Sequence, residues 1–591
     1  MPERVSLPMG QRSRAAILSA TSLFAILIAG SSAFAQANPS GAQACAGDNG
    51  GITLPSGFCA TVFADNLGHV RHMAVAPNGV LYVNSWSGRY YHNDTPPAGG
   101  FLVALKDSNN VGRADVIERF GDGIPQGSAG GTGIAVYNGA VYAEQNDKII
   151  RYALPTDGSS IAPKGAPEIV VSGLPLTGDH PMHPFIIDAK GQIFVDLGSA
   201  TNSCQLDNRM PSSPGHYPCT ELETRAGTWR FDANKTGQVF SAAERYATGI
   251  RNGEGFGIDS TGRLFVTQHG RDQLGQNFSK LYTPEQSAEQ PAEEIVLLQQ
   301  AADYGWPECY YDLDQGKLVL APEYGGDGGK KVGVCAEKTA PVAAFPGHWA
   351  PNDLLMYAGK AFPAAYHDGA FVAFHGSWNR APKPQGGYNV VFQPFKDGKA
   401  SSAFVVFADG FAGAIKEPRQ AAFRPTGLAM APDGALYISD DSHGRIWRVT
   451  YHGSADAPVA PAPAPAVAAL TPAPPSPAQL NPAALPVPPG ATREQLALGD
   501  RIFHGQAASG TCAGCHGSDA RGGPQAPSLV SGHSFVSDGS LKWITEIITL
   551  GVPRPHDYEV PMPPKGGAPL TDDDVAAVAA YVWAISHTAG N

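Results

Sequence analysis

The chain has 591 residues, enough for two to four domains of ordinary size. Hydrophobic residues reach 43 % and charged residues 16 %, which excludes a wholly disordered chain; the net charge of −12 counts against nucleic acid as a partner. With 70 Gly and 51 Pro, turn formers are dense enough to argue against a helical bundle and for many short strands.

At the N-terminus, Arg4, Arg12 and Arg14 precede a largely apolar run from Ala15 to Gly30, and Ala33-Phe34-Ala35 offers a small-x-small cleavage site. Residues 1–35 therefore read as a secretory signal peptide. An uncleaved membrane anchor is the alternative, but the run is short for a span and polar residues 36–41 follow at once. No later stretch approaches a membrane span, so a soluble, exported, periplasmic protein is expected. Eight cysteines suit an oxidising compartment. Two belong to the motif described below, and the other six are expected to pair locally as Cys45–Cys59, Cys204–Cys219 and Cys309–Cys335.

Between residues 36 and 453 a weak repeat recurs: a short apolar strand, a turn with glycine, then a strand of β-branched or aromatic residues. It occurs at Met73–Val83, Gly133–Tyr142, Phe185–Val195, Gly255–Val266 and Gly427–Ile438, with a half-match at His367–Val372. Six such hairpins on a long period predict a mainly β fold, a six-bladed β-propeller in which radial closure protects the sheet edges. A pair of β-sandwiches is the alternative. The widest gap, between Gly262 and Gly369, predicts a long insertion. Residues 454–490 are nearly all Pro and Ala, with Asp456 the only charge, and read as an extended spacer of polyproline type. It separates the propeller from a small all-α domain at 491–591.

In that domain Cys512-Ala-Gly-Cys515-His516 has the C-x-x-C-H spacing, at which two thioethers hold a porphyrin while the adjacent imidazole reaches its iron. A covalently bound haem c is expected on Cys512 and Cys515, with His516 as an axial ligand. Met562 is the single methionine of residues 491–591 and the expected sixth ligand; His504, His533, His556 and His587 are alternatives. A first helix is predicted over Glu494–His504. A last helix is predicted from Thr571, with Asp572, Asp573 and Asp574 at the positive end of its dipole and Val575, Val578, Val582 and Ile585 as its apolar stripe. The domain resembles the class I cytochromes c, whose first and last helices cross through a glycine/aromatic contact. That resemblance implies Gly499 against Tyr581, and Pro527 and Leu529 beside the proximal histidine.

A haem tethered to an exported propeller implies that the propeller removes electrons from something, and side chains need a cofactor for hydride chemistry. No G-x-G-x-x-G follows a strand and opens a helix, which counts against a nicotinamide or flavin Rossmann site. Tyr246–Phe256, Gly262–Gly270 and Asp303–Pro307 resemble the soluble quinoprotein sugar dehydrogenases, six-bladed propellers that bind pyrroloquinoline quinone (PQQ) and calcium. His375–Arg380, Arg424-Pro425, Asp433-Gly434 and Ser439–Asp441 resemble the sorbosone dehydrogenase branch. Together these motifs span most of residues 50–452.

The resemblance implies Arg251 and Arg424 against the PQQ carboxylates, Asn252 and His269 at the cofactor, and the backbone carbonyls of Gly270 and Arg271 on calcium. Hard oxygen ligands suit that cation. It also implies His180 as the base that takes a hydroxyl proton while hydride leaves, with His183 as the alternative. Two departures count against glucose itself. Gly198-Ser199 stands where glucose-oxidising members carry a carboxylate that orients the base, and Arg271–Ala292 is longer than their corresponding segment. The reading is an exported quinohaemoprotein dehydrogenase that oxidises a sugar, sugar aldehyde or polyol and passes electrons through its haem to an external cytochrome, quinone or oxidase. A calcium-dependent hydrolase of the lactonase type and a non-catalytic carbohydrate-binding propeller are the alternatives.

Overall fold

Asn138 and Gly139 both take positive φ, 45° and 75°, the left-handed pair that closes a two-residue hairpin, and Ile134–Tyr137 therefore pairs directly with Ala140–Gln145. Each of the six repeats read from the sequence becomes the first two strands of one sheet, the other five through longer turns. The computed structural model describes Cys45 and residues 47–588 apart from 86–97, 122–130, 381–382, 419, 465–481, 509, 511, 523–525, 531–538, 556–557 and 559. The expected signal peptide, His533 and His556 lie outside the described residues.

The first blade runs Val70–Val75, Leu81–Ser85, Leu102–Lys106 and Val116–Phe120, each strand antiparallel to the one before. Blades two to five begin at Ile134, Phe185, Phe256 and Pro351 and repeat the pattern. The second blade gains Gln238–Val239 as a parallel fifth strand on its outer edge. In the fifth, Pro351–Met356 and Ala370–Phe374 are joined by a longer turn carrying the short helix Ala364–Tyr366, the physical reason its repeat is only half-visible in the sequence.

The sixth blade is built from both ends of the fold. Pro425–Met430, Leu436–Asp440 and Ile446–Tyr451 are its three inner strands, and Phe58–Ala64 adds the outer one, in register from Phe58↔Tyr451 to Ala64↔Ile446. The ring closes there, and no sandwich forms. Phe58 also packs edge-on against Tyr366 and Phe407 at 5.3 and 4.9 Å, so the closing strand is held by aromatic burial as well as by its ladder. All three local disulfides are formed. The long insertion falls within the fourth blade. Helices Leu274–Asn277 and Pro284–Glu289 precede its third strand, Glu293–Leu297, and the hairpin Cys309–Asp312/Lys317–Leu320, stapled by Cys309–Cys335, precedes its fourth.

In the C-terminal domain Thr492 caps Arg493–Phe503 through a reciprocal bond with Gln495, and Thr571 caps Asp572–Ser586 with Asp574 in the same way. The two helices cross at Gly499, where an added Cβ would stand 2.0 Å from the Ala577 carbonyl and 2.9 Å from the Tyr581 Cβ. Among the described residues no helix is long and apolar enough to cross a membrane. Gly499→Val drives side-chain carbon into that crossing and is expected to destabilise the domain by about 1–3 kcal/mol or more. A scan that follows haem absorbance and propeller circular dichroism separately should show the first melting earlier and the second unmoved.

Candidate active site and haem centre

A hairpin returns to the end of the blade at which it started. Residues entering each first strand and residues leaving each second strand therefore gather on one face of the ring. Entering residues include His180, the Arg251–Asn252 loop and Arg424; leaving residues include Ser199, His269–Asp272 and His375–Arg380.

His180 is 9 % exposed. Its Nδ1 lies 2.9 Å from the Ser199 carbonyl oxygen and 3.1 Å from the Ser199 hydroxyl, which itself donates to the Thr201 carbonyl. A carbonyl only accepts, so Nδ1 carries the hydrogen and Nε2 keeps its lone pair. Gly198 makes this approach possible, since a Cβ there would stand 2.6 Å from the His180 Cβ. Burial, then the Arg251 charge, hold the imidazole well below the usual histidine range. His183 is differently placed. It is fully buried, with Nε2 on the Pro175 carbonyl at 2.8 Å and Nδ1 3.2 Å from Glu144, so both ring nitrogens face protein partners.

Arg251 spreads its guanidinium over four oxygens. Nε donates to the Asn202 carbonyl, Nη1 to the Gly270 carbonyl, and Nη2 to both the Asn202 amide oxygen and Asp272, all within 3.0 Å. Arg209 reaches the same Asp272 oxygen at 3.1 Å and holds Asp179, the neighbour of His180, at 2.8 Å. Asn379 donates to the other Asp272 oxygen at 2.9 Å, while its own Oδ1 is buried without a hydrogen-bond partner. Burial by itself would raise Asp272; Arg251 and Arg209 override it and hold the carboxyl well below the usual range.

Arg424 gives Nε and one terminal nitrogen to the carbonyls of His375 and Gly376, both at 3.0 Å, so its head group is fixed beside the same face. Asn252 donates weakly to Glu254 at 3.5 Å. His269 lies 3.2 Å from the Pro351 carbonyl, its pKa lowered by burial to about 3. The Gly270 amide donates to Glu293 at 3.0 Å, and burial pushes that carboxyl up to about 8. Arg271 turns away to pair with Glu323.

The structure thus gathers His180, Arg251, Asn252, His269, Gly270 and Arg424 on one face. Asn202, Arg209 and Asp272 were missed in the sequence. Asp272 follows the Gly270-Arg271 turn directly, and Arg209 sits in a loop clasped by Cys204–Cys219, a cue the cysteine spacing already offered.

Around the propeller axis, buried acids tie blade to blade. Glu144 accepts from the His183 amide, Asp196 from the Gly253 amide and Asp353 from the Leu428 amide. Arg71 in the first blade pairs with Asp441 at the end of the sixth blade's second strand at 2.8 Å, and Asp441 holds His375 Nε2 at 2.8 Å.

At the C-x-x-C-H motif His516 Nδ1 lies 2.9 Å from the Pro527 carbonyl, which orients the ring and leaves Nε2 free of that bond. Met562 is fixed by reciprocal backbone bonds with Val552 and packs on the same core as Cys512. His504 has Nδ1 on the Asp500 carbonyl and Nε2 on the Ser518 carbonyl, both at 2.8 Å, and His587 stacks on Trp583. Neither described histidine is placed as Met562 is.

Comparison with known proteins agrees. The TrAA12-like family profile matches residues 52–452 and the cytochrome c profile residues 497–586. A pyrroloquinoline quinone-dependent sugar dehydrogenase of Hypocrea jecorina is 22 % identical over 338 residues, 54 % of this chain and 73 % of that protein. A pyrroloquinoline quinone-dependent pyranose dehydrogenase of Coprinopsis cinerea is 26 % identical over 236 residues, 34 % of this chain; the chain spans only 30 % of that protein's length. The solved holo PQQ domain of the Coprinopsis cinerea pyranose dehydrogenase has the same fold, with a TM-score of 0.52 at 19 % identity, covering 68 % of this chain and 97 % of that one. With the profile running from the closing strand to the last blade, the chain belongs to the TrAA12-like family, a PQQ sugar dehydrogenase-type propeller followed by a cytochrome c domain.

Proposed function

We propose that the protein is an exported dehydrogenase that oxidises a sugar, sugar aldehyde or polyol of the sorbosone type and sends the electrons through covalent haem c to an external acceptor. The observation that carries this reading is His180: a buried imidazole held unprotonated, whose Nδ1 is committed to the Ser199 carbonyl and whose Nε2 keeps its lone pair, beside fixed guanidiniums. Oxidoreductase chemistry is further supported by the PQQ-dependent relatives. A hydrolase or a passive sugar-binding propeller would need no haem domain behind it.

The residues present fit PQQ. A tricarboxylate needs fixed positive charge, which Arg251 and Arg424 supply, and the orphaned Asn379 Oδ1 is a buried acceptor waiting for a donor. When bound, PQQ supplies the acceptor for the electron pair that leaves the substrate carbon with its hydrogen. His180 Nε2 takes the hydroxyl proton, and the Ser199 carbonyl, already receiving Nδ1–H, stabilises the imidazolium that forms. Asp179, gripped by Arg209, fixes the backbone beside the base. A haem held by Cys512, Cys515, His516 and Met562 would supply a one-electron acceptor. The Gly270 and Arg271 carbonyls would hold calcium; the Gly270 oxygen, with two lone pairs, already accepts from Arg251, whose guanidinium is also held by Asn202 and Asp272.

The direct experiment supplies PQQ and Ca²⁺ to the mature haem-loaded protein, adds a panel of sugars and polyols, and records the reduced haem band; no reduction with any of them overturns the reading. His180→Ala should bind PQQ normally yet slow haem reduction by substrate about 10²-fold or more. Gly198→Ala, which displaces the imidazole by its new Cβ, should slow it more than Ser199→Ala, since the Ser199 carbonyl survives the latter. Because the His180 pKa is lowered, the base stays unprotonated as the pH falls through 6.5, and the acid limb of kcat/KM should lie well below that value. A limb at or above it would exclude His180 as the base. Met562→Ala should lower the haem midpoint potential in a redox titration, since thioether ligation raises it.

A further inference from the structure

The C-terminal domain meets the propeller on the face that holds His180 and Arg251, through three loops. Gly514, inside the haem-attachment helix Cys512–His516, lies against Trp378: a Cβ there would stand 2.9 Å from the Trp378 carbonyl oxygen and 3.0 Å from its indole ring. Gln420, four residues before Arg424, donates to the Ser518 hydroxyl. Gly567 rests on Gln276 in the 271–292 insertion, where an added Cβ would come 3.1 Å from the Gln276 Cβ. Cys515 sits within electrostatic reach of Arg209 and Asp272, the charged floor of the site. Asn379, which donates to that same Asp272, is the next residue after Trp378.

We propose that Trp378, Gln420 and the 271–292 insertion form a docking surface for the chain's own cytochrome domain, and that Trp378 is the contact through which electrons cross to the haem. The proposal rests on the dehydrogenase reading for the electrons and on the contacts alone for the docking. Among the described residues the contacts are a glycine on the Trp378 indole, a glycine on an amide stem and a hydroxyl on an amide. Such an interface is weak by itself, in the class of transient redox encounters. The Pro/Ala spacer makes weakness sufficient, because a tether converts docking into an intramolecular event at high effective concentration. The insertion acquires a physical role, since Gln276 is one of the three footholds. Each substrate molecule gives up two electrons and two protons. The haem takes one electron at a time, ferric to ferrous, so the external acceptor must reoxidise it between the two transfers; the hydroxyl proton leaves through His180, and the hydrogen that travels with the electron pair is released to solvent as the second proton once both electrons have passed on.

Two variants of the full-length, PQQ- and haem-loaded chain test this. Gly514→Leu keeps the C-x-x-C-H motif but fills the contact with Trp378. In stopped flow with L-sorbosone, D-glucose or D-xylose, whichever reduces a small soluble dye fastest, it should slow haem reduction about tenfold while direct dye turnover stays at the wild-type rate. The pair Gln420→Cys/Ser518→Cys should cross-link on export, read as loss of two hydrogens in the intact mass, and should reduce its haem at least as fast as wild type. Wild-type haem reduction in Gly514→Leu, or two free thiols in the cysteine pair, overturns the docking surface. If the wild-type protein reduces neither dye nor haem with any of the sugars, the dehydrogenase reading falls, and the cross-link still decides the docking.

Discussion

Everything on the functional face depends on one pairing, that of Phe58–Ala64 with Ile446–Tyr451. Six blades joined only in sequence would leave an open arc with two exposed sheet edges. The closing strand removes those edges and brings the first blade beside the sixth. Only then does Arg71 meet Asp441, and through Asp441 the His375 ring whose carbonyl anchors Arg424. A local pairing at the rim thus sets the position of a guanidinium near the axis. The buried acids between blades act in the same direction. Each accepts a backbone amide or a charged partner from a neighbour, so the ring has little freedom to open without stranding a desolvated carboxylate.

The site orients its histidine with a carbonyl rather than a carboxylate. A carboxylate beside His180 would favour the imidazolium. The Ser199 carbonyl instead fixes the tautomer and ring direction; it raises the His180 pKa, but burial and the Arg251 charge outweigh it and hold the imidazole well below the usual range. Charge balance is moved elsewhere, to Asp272, which takes Arg251, Arg209 and the Asn379 amide at once. The residue comes from the start of the insertion that lengthens this chain relative to the sugar dehydrogenases it resembles. The same insertion supplies Gln276 to the contact with the cytochrome domain, so one segment serves both the charge of the site and the meeting of the two domains.

In the cytochrome domain the order of causes is simpler. Gly499 lets the first and last helices touch through backbone, that crossing builds the core, and both Cys512 and Met562 pack against it. Pro527 then turns His516 by its carbonyl. Every one of these contacts is between residues less than a hundred positions apart, and all but Pro527 lie on strongly patterned or capped segments.

Short-range pattern was therefore legible from residues alone. The six hairpins, both capped helices and the three local disulfides each rest on residues within about thirty positions of one another, where turn chemistry, periodicity and spacing act directly. The fifth hairpin was half-visible because its turn is long, and Asn202, Arg209 and Asp272 carried no motif. Their roles arise from loops of different blades meeting on one face, and from Asp272 lying between two guanidiniums that sequence places 21 and 63 residues before it. The choice between His180 and His183 likewise needed the fold, because what separates two histidines three residues apart is which carbonyl and which carboxylate each ring faces once the blades have closed.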